Sequence, residues 1–213
     1  MSGLVLHGYW RSGTSYRARI ALNLKGLDYA QVGHDLRIGA QAAHDYVALN
    51  PQKLVPALVT GDGVLTQSPA ILEYLEERYP DPPLLPKGAG DRAVVRAMAA
   101  VVACDIHPLN NMRVLKSLRR EFGADEAQRD AWAARWIGDG FAALEVLIGQ
   151  HGAEFAFGDT PTLADCHLVP QLYSAERFGV DLSAYPRVVA AVEAMRALPA
   201  VARAAPEVQD DAD

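Results

Sequence analysis

A run of prolines sets the architecture of this chain. Pro80-Asp81-Pro82-Pro83-Leu84-Leu85-Pro86 lacks most of the backbone donors that a helix or central strand needs and holds the chain extended, which is the composition of a linker between two cores. The 213 residues leave room for two small cores or one larger one, and the two sides of the linker differ in kind. Before it, Leu4–Tyr9, Tyr29–Asp35, Val55–Thr60 and Val64–Thr66 read as short strands by their apolar and β-branched content. Between them, Thr14–Lys25 places Ala18, Ala21, Leu22 and the Lys25 stem on one helical stripe and ends at Gly26, a natural residue just past a helix. Ser68 suits an N-cap and Pro69 the first helical position of a second helix reaching Tyr79. Val55-Pro56 puts a proline where a strand begins, a place for an edge or a cis turn.

Beyond the linker everything reads as helix. Asp91–Arg120 is rich in Ala, Val, Met, Leu and Arg, and Pro108 should kink or break it. A second helix covers Asp125–Gln150. Thr162, with Asp165 three positions on, forms a capping-box-like start for a helix toward Phe178, and Tyr185–Leu198 makes a last one. The acidic tail, Ala204–Asp213, has little to bury and is expected to fray. The expected division is 1–80 as an α+β domain, 81–90 as linker and 91–213 as an all-helical domain with its frayed tail.

Composition excludes several function classes. Half of the residues are hydrophobic, yet no uninterrupted apolar run approaches the ~20 residues of a membrane span, so a soluble protein with no membrane partner is expected. The start, Met1-Ser2-Gly3-Leu4-Val5-Leu6-His7, has neither the basic nor the apolar segment of a secretory leader, and a cytoplasmic location is expected with it. Cys104 and Cys166 belong to no C-x-x-C pair, which argues against a disulfide framework, a metal site or a dithiol redox motif. A net charge of −6 without a basic cluster leaves no electrostatic footprint for nucleic acid.

Four motifs carry a resemblance that spans nearly the whole chain. Arg11-Ser12-Gly13-Thr14-Ser15-Tyr16-Arg17-Ala18-Arg19-Ile20-Ala21-Leu22 resembles the active-site helix start of the zeta-class glutathione transferases, and Asn50-Pro51-Gln52-Lys53-Leu54-Val55-Pro56-Ala57-Leu58 resembles their glutathione-backbone loop. Gln67-Ser68-Pro69-Ala70-Ile71-Leu72-Glu73-Tyr74-Leu75-Glu76-Glu77 is similar to their third-helix signature, and Asp159-Thr160-Pro161-Thr162-Leu163-Ala164-Asp165 to the capped core helix of their second domain. The resemblance implies a thioredoxin-like βαβ–ββα domain followed by a helical bundle, glutathione as cofactor and a homodimer. That class usually reads Ser-Ser-Cys-Ser at the helix start; this chain has Ser12-Gly13-Thr14-Ser15, so a cysteine there has no role. Together with Cys104-Asp105-Ile106-His107-Pro108-Leu109-Asn110-Asn111, the helix start is more similar to the bacterial maleylpyruvate isomerases of gentisate catabolism than to the maleylacetoacetate isomerases.

The residues themselves support thiol chemistry. Ser12 stands where a strand meets a helix N-terminus, whose unpaired N–H groups and dipole favour an anion. A thiol with an ordinary pKa of about 8.5 ionises at neutral pH only if its charge is stabilised. Thr14 and Ser15 are alternative hydroxyls in the same turn, and a plain helix cap is the simpler role for Ser12. The resemblance gives Val55 and Pro56, the latter cis, to the cysteinyl part of glutathione, which would add like a strand. It gives Gln67 and Ser68 to the γ-glutamyl carboxylate, although capping alone would also explain them. Gln41 matches the position that helps hold the glycyl end, and His107 and Asn111 those that close over glutathione. Arg11, Arg113 and Arg177, which the family fold would bring near one cleft, are candidates for the two carboxylates of a cis-enedioate substrate, since a planar guanidinium suits carboxylates; taken singly, a solvated surface charge is the simpler role for each. Arg17 and Arg19, inside the helix, read as structural or solvated. The implied reaction is cis–trans isomerisation by reversible thiolate addition; a general transferase and a scaffold without turnover are the alternatives, and a thioredoxin-like oxidoreductase is disfavoured for want of a cysteine.

Overall fold

The structure is a computed structural model describing residues 3–212; Met1 and Ser2 of the expected leaderless start and Asp213 of the acidic tail lie outside the described residues. The chain forms two compact units, residues 1–83 together with 197–213, and residues 84–196.

The first unit is built on a four-stranded sheet of order β2-β1-β3-β4. Strand β1 (Val5–Gly8) pairs in parallel with β2 (Ala30–Gly33) and antiparallel with β3 (Ala57–Thr60), which turns through Gly61-Asp62 into β4 (Gly63–Thr66). The parallel pair needs a crossover, and α1 (Gly13–Leu24) supplies it, packed beside α3 (Ser68–Arg78). A short α2 (His44–Leu49) precedes β3. Helix α1 is buried on more than the expected stripe: every residue from Ser15 to Leu22 is buried, Arg17 and Arg19 included. Burying a cation requires partners for it. The Arg19 guanidinium donates to the Trp10 and Ala204 carbonyls at 2.8 and 2.9 Å, and burial pulls its pKa down to about 10. Both arginines are therefore structural in their burial rather than solvated. At the end of α1, Lys25 meets Glu76 of α3 at 2.6 Å and also donates to the Pro82 carbonyl.

The start of α3 differs from the sequence expectation. Gln67, not Ser68, is the N-cap residue; its φ of 68° turns the chain sharply, and Ser68 is the first helical residue with Pro69 beside it. The Ser68 hydroxyl is thereby freed from capping and lies 3.4 Å from Arg17 Nη1.

The expected fraying of the tail is also corrected. The stretch from Ala197 belongs to the first unit, through α10 (Pro199–Ala202) beside α1 and a single 3₁₀ turn at Pro206–Val208. Val201, Ala204, Pro206 and Gln209 are buried. Counting acidic residues hides this, because apolar and amide positions between the carboxylates are the ones that face inward.

The second unit is helical: α4 (Ala89–Ala100), α5 (His107–Asn110), α6 (Met112–Phe122), α7 (Glu126–His151), α8 (Leu163–Arg177) and α9 (Pro186–Arg196). The interruption expected at Pro108 is spread over the residues around it. Val101–Ile106 widens into π-helical turns and the chain breaks at Asn111, since a proline in a helix removes the bond to the carbonyl four residues back. The run Ala89–Phe122 nevertheless has the length and average apolarity of a membrane span, with 33% of its most apolar window buried; α4 lies along α8 as a core helix does. The core of this unit is set by α8, whose N-terminus is a full capping box between Thr162 and Asp165. Asp165 is completely buried and accepts from Ala156 N, Thr162 N and Thr162 Oγ1, each at 2.8 Å. Leu84, within the proline run, accepts from the Leu163 N–H at 2.9 Å.

Candidate active site

Strand β1 delivers the chain to a tight turn, Tyr9-Trp10-Arg11-Ser12, closed by a hydrogen bond from Ser12 N to Tyr9 O at 3.0 Å. Ser12 is the N-cap of α1: its Oγ accepts from Ser15 N at 3.3 Å. The three hydroxyls of the turn, equivalent in the sequence, are separated by the fold. Ser15 is fully buried, and its Oγ accepts from the Tyr9 N–H beneath β1 at 3.3 Å. That corrects its candidacy as a catalytic group, because a ligand sulfur has no access to it. Ser12 and Thr14 are partly exposed and lie 2.9 Å apart through their oxygens.

The direction of that contact follows from counting protons. Thr14 Oγ1 donates to the Val55 carbonyl at 2.8 Å, and a carbonyl can only accept. Thr14 has a single hydroxyl proton, so in this arrangement the Ser12 hydroxyl is the donor to Thr14. The resulting chain, Ser12 to Thr14 to Val55, joins the helix start to the loop expected to bind the peptide backbone of glutathione. Rotation about one Ser12 torsion frees its proton for an incoming anion.

The loop is held from behind. Tyr46 of α2 and Asn50 both donate to the Leu54 carbonyl, at 2.5 and 2.6 Å, while Asn50 Oδ1 accepts from Gln52 N. Burial pushes the Tyr46 hydroxyl up to about 12, so it stays protonated and serves as a permanent donor. Lys53 takes a φ of 58°, and the Val55-Pro56 bond is cis, as the proline suggested. Of the two Val55 backbone groups expected to await a ligand, the carbonyl already accepts from Thr14. Among the described residues no group accepts from the Val55 N–H.

Gln67 carries no capping hydrogen bond; its Nε2 donates to Gln52 Oε1 at 2.6 Å, linking the start of α3 to the same loop. Ser68 is buried against Arg17. Gln41 lies in the 3₁₀ turn Ala40–Ala42, with its buried Oε1 lacking a hydrogen-bond partner. Arg11 is laid over the Trp10 ring, its guanidinium carbon 5.3 Å from the centroid, which holds the cation beside Ser12.

In the second unit His107 opens α5 and Asn111 caps α6, its Oδ1 accepting from Arg113 N at 3.0 Å. One side of the Asn111 amide is thus committed to its own helix. Arg113 is exposed on the first turn of α6, and Arg177 is exposed at the end of α8. Tyr46 and the buried Arg17 are site-supporting residues that sequence reasoning missed. No local signal marks Tyr46, whose partner lies across a loop, whereas an arginine in the middle of an otherwise buried helix was a signal in itself.

Residues 6–83 match the family model of the glutathione S-transferase N-terminal domain, and residues 126–194 that of the glutathione S-transferase C-terminal domain. The chain belongs to the glutathione S-transferase family. Within it, the chain is 55% identical to a maleylpyruvate isomerase of a Ralstonia species, covering 97% of this chain and 98% of that protein. It is 53% identical to a maleylacetoacetate isomerase of Pseudomonas aeruginosa, covering 97% of each. A solved structure of a holo maleylpyruvate isomerase, described as a bacterial zeta-class glutathione S-transferase, superposes with a TM-score of 0.96 at 54% identity, covering 98% of this chain and all of that one. A glutathione S-transferase of this class is what the four sequence motifs implied.

Proposed function

We propose that the protein is a glutathione-dependent cis–trans isomerase that converts maleylpyruvate to fumarylpyruvate. The observation that carries this reading is the Ser12 hydroxyl, partly exposed at the N-terminus of α1 and coupled through Thr14 to the Val55 carbonyl. A hydroxyl donor and a helix N-terminus together stabilise a thiolate. In this reading the glutathione sulfur faces Ser12, its cysteinyl backbone pairs with Val55 before Pro56, its γ-glutamyl carboxylate meets Gln67 and Ser68, and its glycyl end meets Gln41. His107 and Asn111 close over it, with the uncommitted amide nitrogen of Asn111 as donor.

The thiolate adds to the alkene carbon conjugated to the substrate ketone, and the electron pair of the double bond moves to the ketone oxygen as an enolate. The former double bond is now single and rotates. The enolate then collapses, expels the thiolate and leaves the trans alkene, so glutathione is regenerated and no net oxidation occurs. Arg11, Arg113 and Arg177 hold the substrate carboxylates and the developing enolate; Thr14 positions Ser12 rather than replacing it.

The near-equal identity to the Ralstonia and Pseudomonas proteins supports maleylacetoacetate as a second substrate candidate. The decisive experiment follows absorbance when maleylpyruvate and maleylacetoacetate are each mixed with the protein, with and without glutathione. Full conversion of maleylpyruvate by sub-stoichiometric glutathione is expected, and turnover in glutathione-free, dialysed protein overturns the addition mechanism. Faster isomerisation of maleylacetoacetate moves the assignment to that substrate, and stable adducts with neutral electrophiles move it to a general transferase. The reading extends to a cytoplasmic homodimer: a free-thiol cofactor belongs in a reducing compartment, and α4 presents the small residues Ala93 and Ala97 outward.

A further inference from the structure

The C-terminal segment is folded against the turn that carries Ser12. Gln209 is buried, its Nε2 donating to Arg203 O and Ala205 O at 3.0 and 2.7 Å, while its Oε1 accepts from Gln31 of β2 at 3.1 Å. Two residues on, Asp211 Oδ2 accepts from the Trp10 backbone N–H at 3.0 Å, and Ala212 packs against the cluster of Tyr9, Trp10, Tyr46, Val55 and Ala57. Gly33, at the end of β2, permits this approach, since a Cβ there would stand 2.9 Å from Asp211 Oδ2 and 3.1 Å from its Cβ. The other polar group of the same residue is held from inside: Arg19 donates to the Trp10 carbonyl and, with its Nε, to Ala204 O at the root of the tail. Asp211 and Glu207 are the carboxylates whose charge favours the buried Arg19 cation.

Both backbone groups of Trp10, two residues before Ser12, are therefore fixed, one by α1 and one by the extreme C-terminus. We infer that Asp211, acting with Arg19, is a positioning residue for the thiol site: the tail locks the Trp10 peptides and so sets where Ser12 presents its hydroxyl. This rests on the reading of Ser12 as the group that faces sulfur. Asp211 is itself exposed, so its replacement leaves the core of the unit untouched.

The test compares Asp211→Ala, Asp211→Asn, a chain ending at Val208 and Ser12→Ala with the unaltered protein. Three quantities are measured: glutathione affinity by calorimetry, ionisation of the bound thiol by thiolate absorbance across pH, and kcat. Asp211→Ala and the shortened chain should ionise the bound thiol at higher pH and lose roughly tenfold in kcat, the scale of one charge-assisted hydrogen bond. In Asp211→Ala glutathione affinity should stay within about twofold, because the peptide-binding groups are elsewhere; the shortened chain also loses Ala212 from the cluster that includes Val55 and is expected to bind glutathione more weakly. Asp211→Asn keeps an oxygen for the Trp10 N–H and should retain most of the activity. A normal thiol titration and kcat in both Asp211→Ala and the shortened chain, beside an impaired Ser12→Ala, overturns the inference alone; an unimpaired Ser12→Ala overturns the reading of Ser12 and the inference with it. Equal loss in Asp211→Asn and Asp211→Ala also overturns it, since charge rather than the hydrogen bond would then be responsible.

Discussion

Ser12, Thr14 and Ser15 carry the same functional group within one helical turn, and only their partners distinguish them. Ser12→Ala should raise the pH at which bound glutathione ionises and depress every thiol-dependent reaction, on diacids and neutral electrophiles alike. Thr14→Val removes the link to Val55 and the partner that orients the Ser12 hydroxyl; about 1 kcal/mol, read as a several-fold rise in KM for glutathione with a modest rise in the pH of thiol ionisation, is the expected outcome. The arginines should show the opposite selectivity. Truncating Arg11, Arg113 or Arg177 to Ala should cost about 2–5 kcal/mol if each pairs with a desolvated carboxylate, roughly thirtyfold to several thousandfold in kcat/KM for the diacid, with glutathione affinity nearly unchanged. Near-normal diacid turnover in all three variants would remove the carboxylate clamp and favour a general transferase.

Elements matter here by what their ends hold. Helix α2 is a single short helix, yet it carries Tyr46, whose hydroxyl fixes the Leu54 carbonyl ahead of the cis Val55-Pro56 bond. Tyr46→Phe leaves Asn50 as the remaining donor to that carbonyl and should raise KM for glutathione several-fold, from the loss of about 1 kcal/mol, while kcat at saturation stays within about twofold. Steady-state kinetics with glutathione varied separates the two. The capping box of α8 is a larger structural term. Asp165→Ala strands three buried donors, Ala156 N, Thr162 N and Thr162 Oγ1, and should cost about 2–5 kcal/mol in urea unfolding. Burial pushes the Asp165 carboxyl up from 3.8 to about 6, with the three donors holding it back. A carboxyl raised on folding keeps its proton to higher pH than in the unfolded chain, so its contribution to stability is full below 3.8 and falls away as pH rises through about 6. Asp165→Asn, which cannot titrate, should therefore show a flatter stability profile between those values than the unaltered protein.

For the whole molecule, the expected assembly is a pair of chains about a two-fold axis, and light scattering at micromolar protein should give twice the chain mass; a monomer with full activity would contradict it. The sequence by itself determined the four strands, the helices that follow β1 and β4, the capped α8 and the hydroxyl-rich start of α1, because each is written in local chemistry: a capping oxygen three residues from its donor, apolar residues at helical or strand spacing; the short α2 carried no such signal. The sequence also singled out Val55-Pro56, since proline acts on its own neighbours. Which hydroxyl faces outward was decided only by tertiary structure, because Ser15 differs from Ser12 by lying beneath β1, a contact made by chain folding and not by spacing. The shift of the α3 cap from Ser68 to Gln67 has the same origin, as Arg17 and the Gln52 loop claim the side chains that a free helix would use as caps. The tail is the largest such case. Asp211 and Trp10 are 201 residues apart, and an acidic end with few apolar residues looks unfoldable until the chain returns it to a sheet edge where Gly33 leaves room, Arg19 supplies charge and Trp10 offers an N–H.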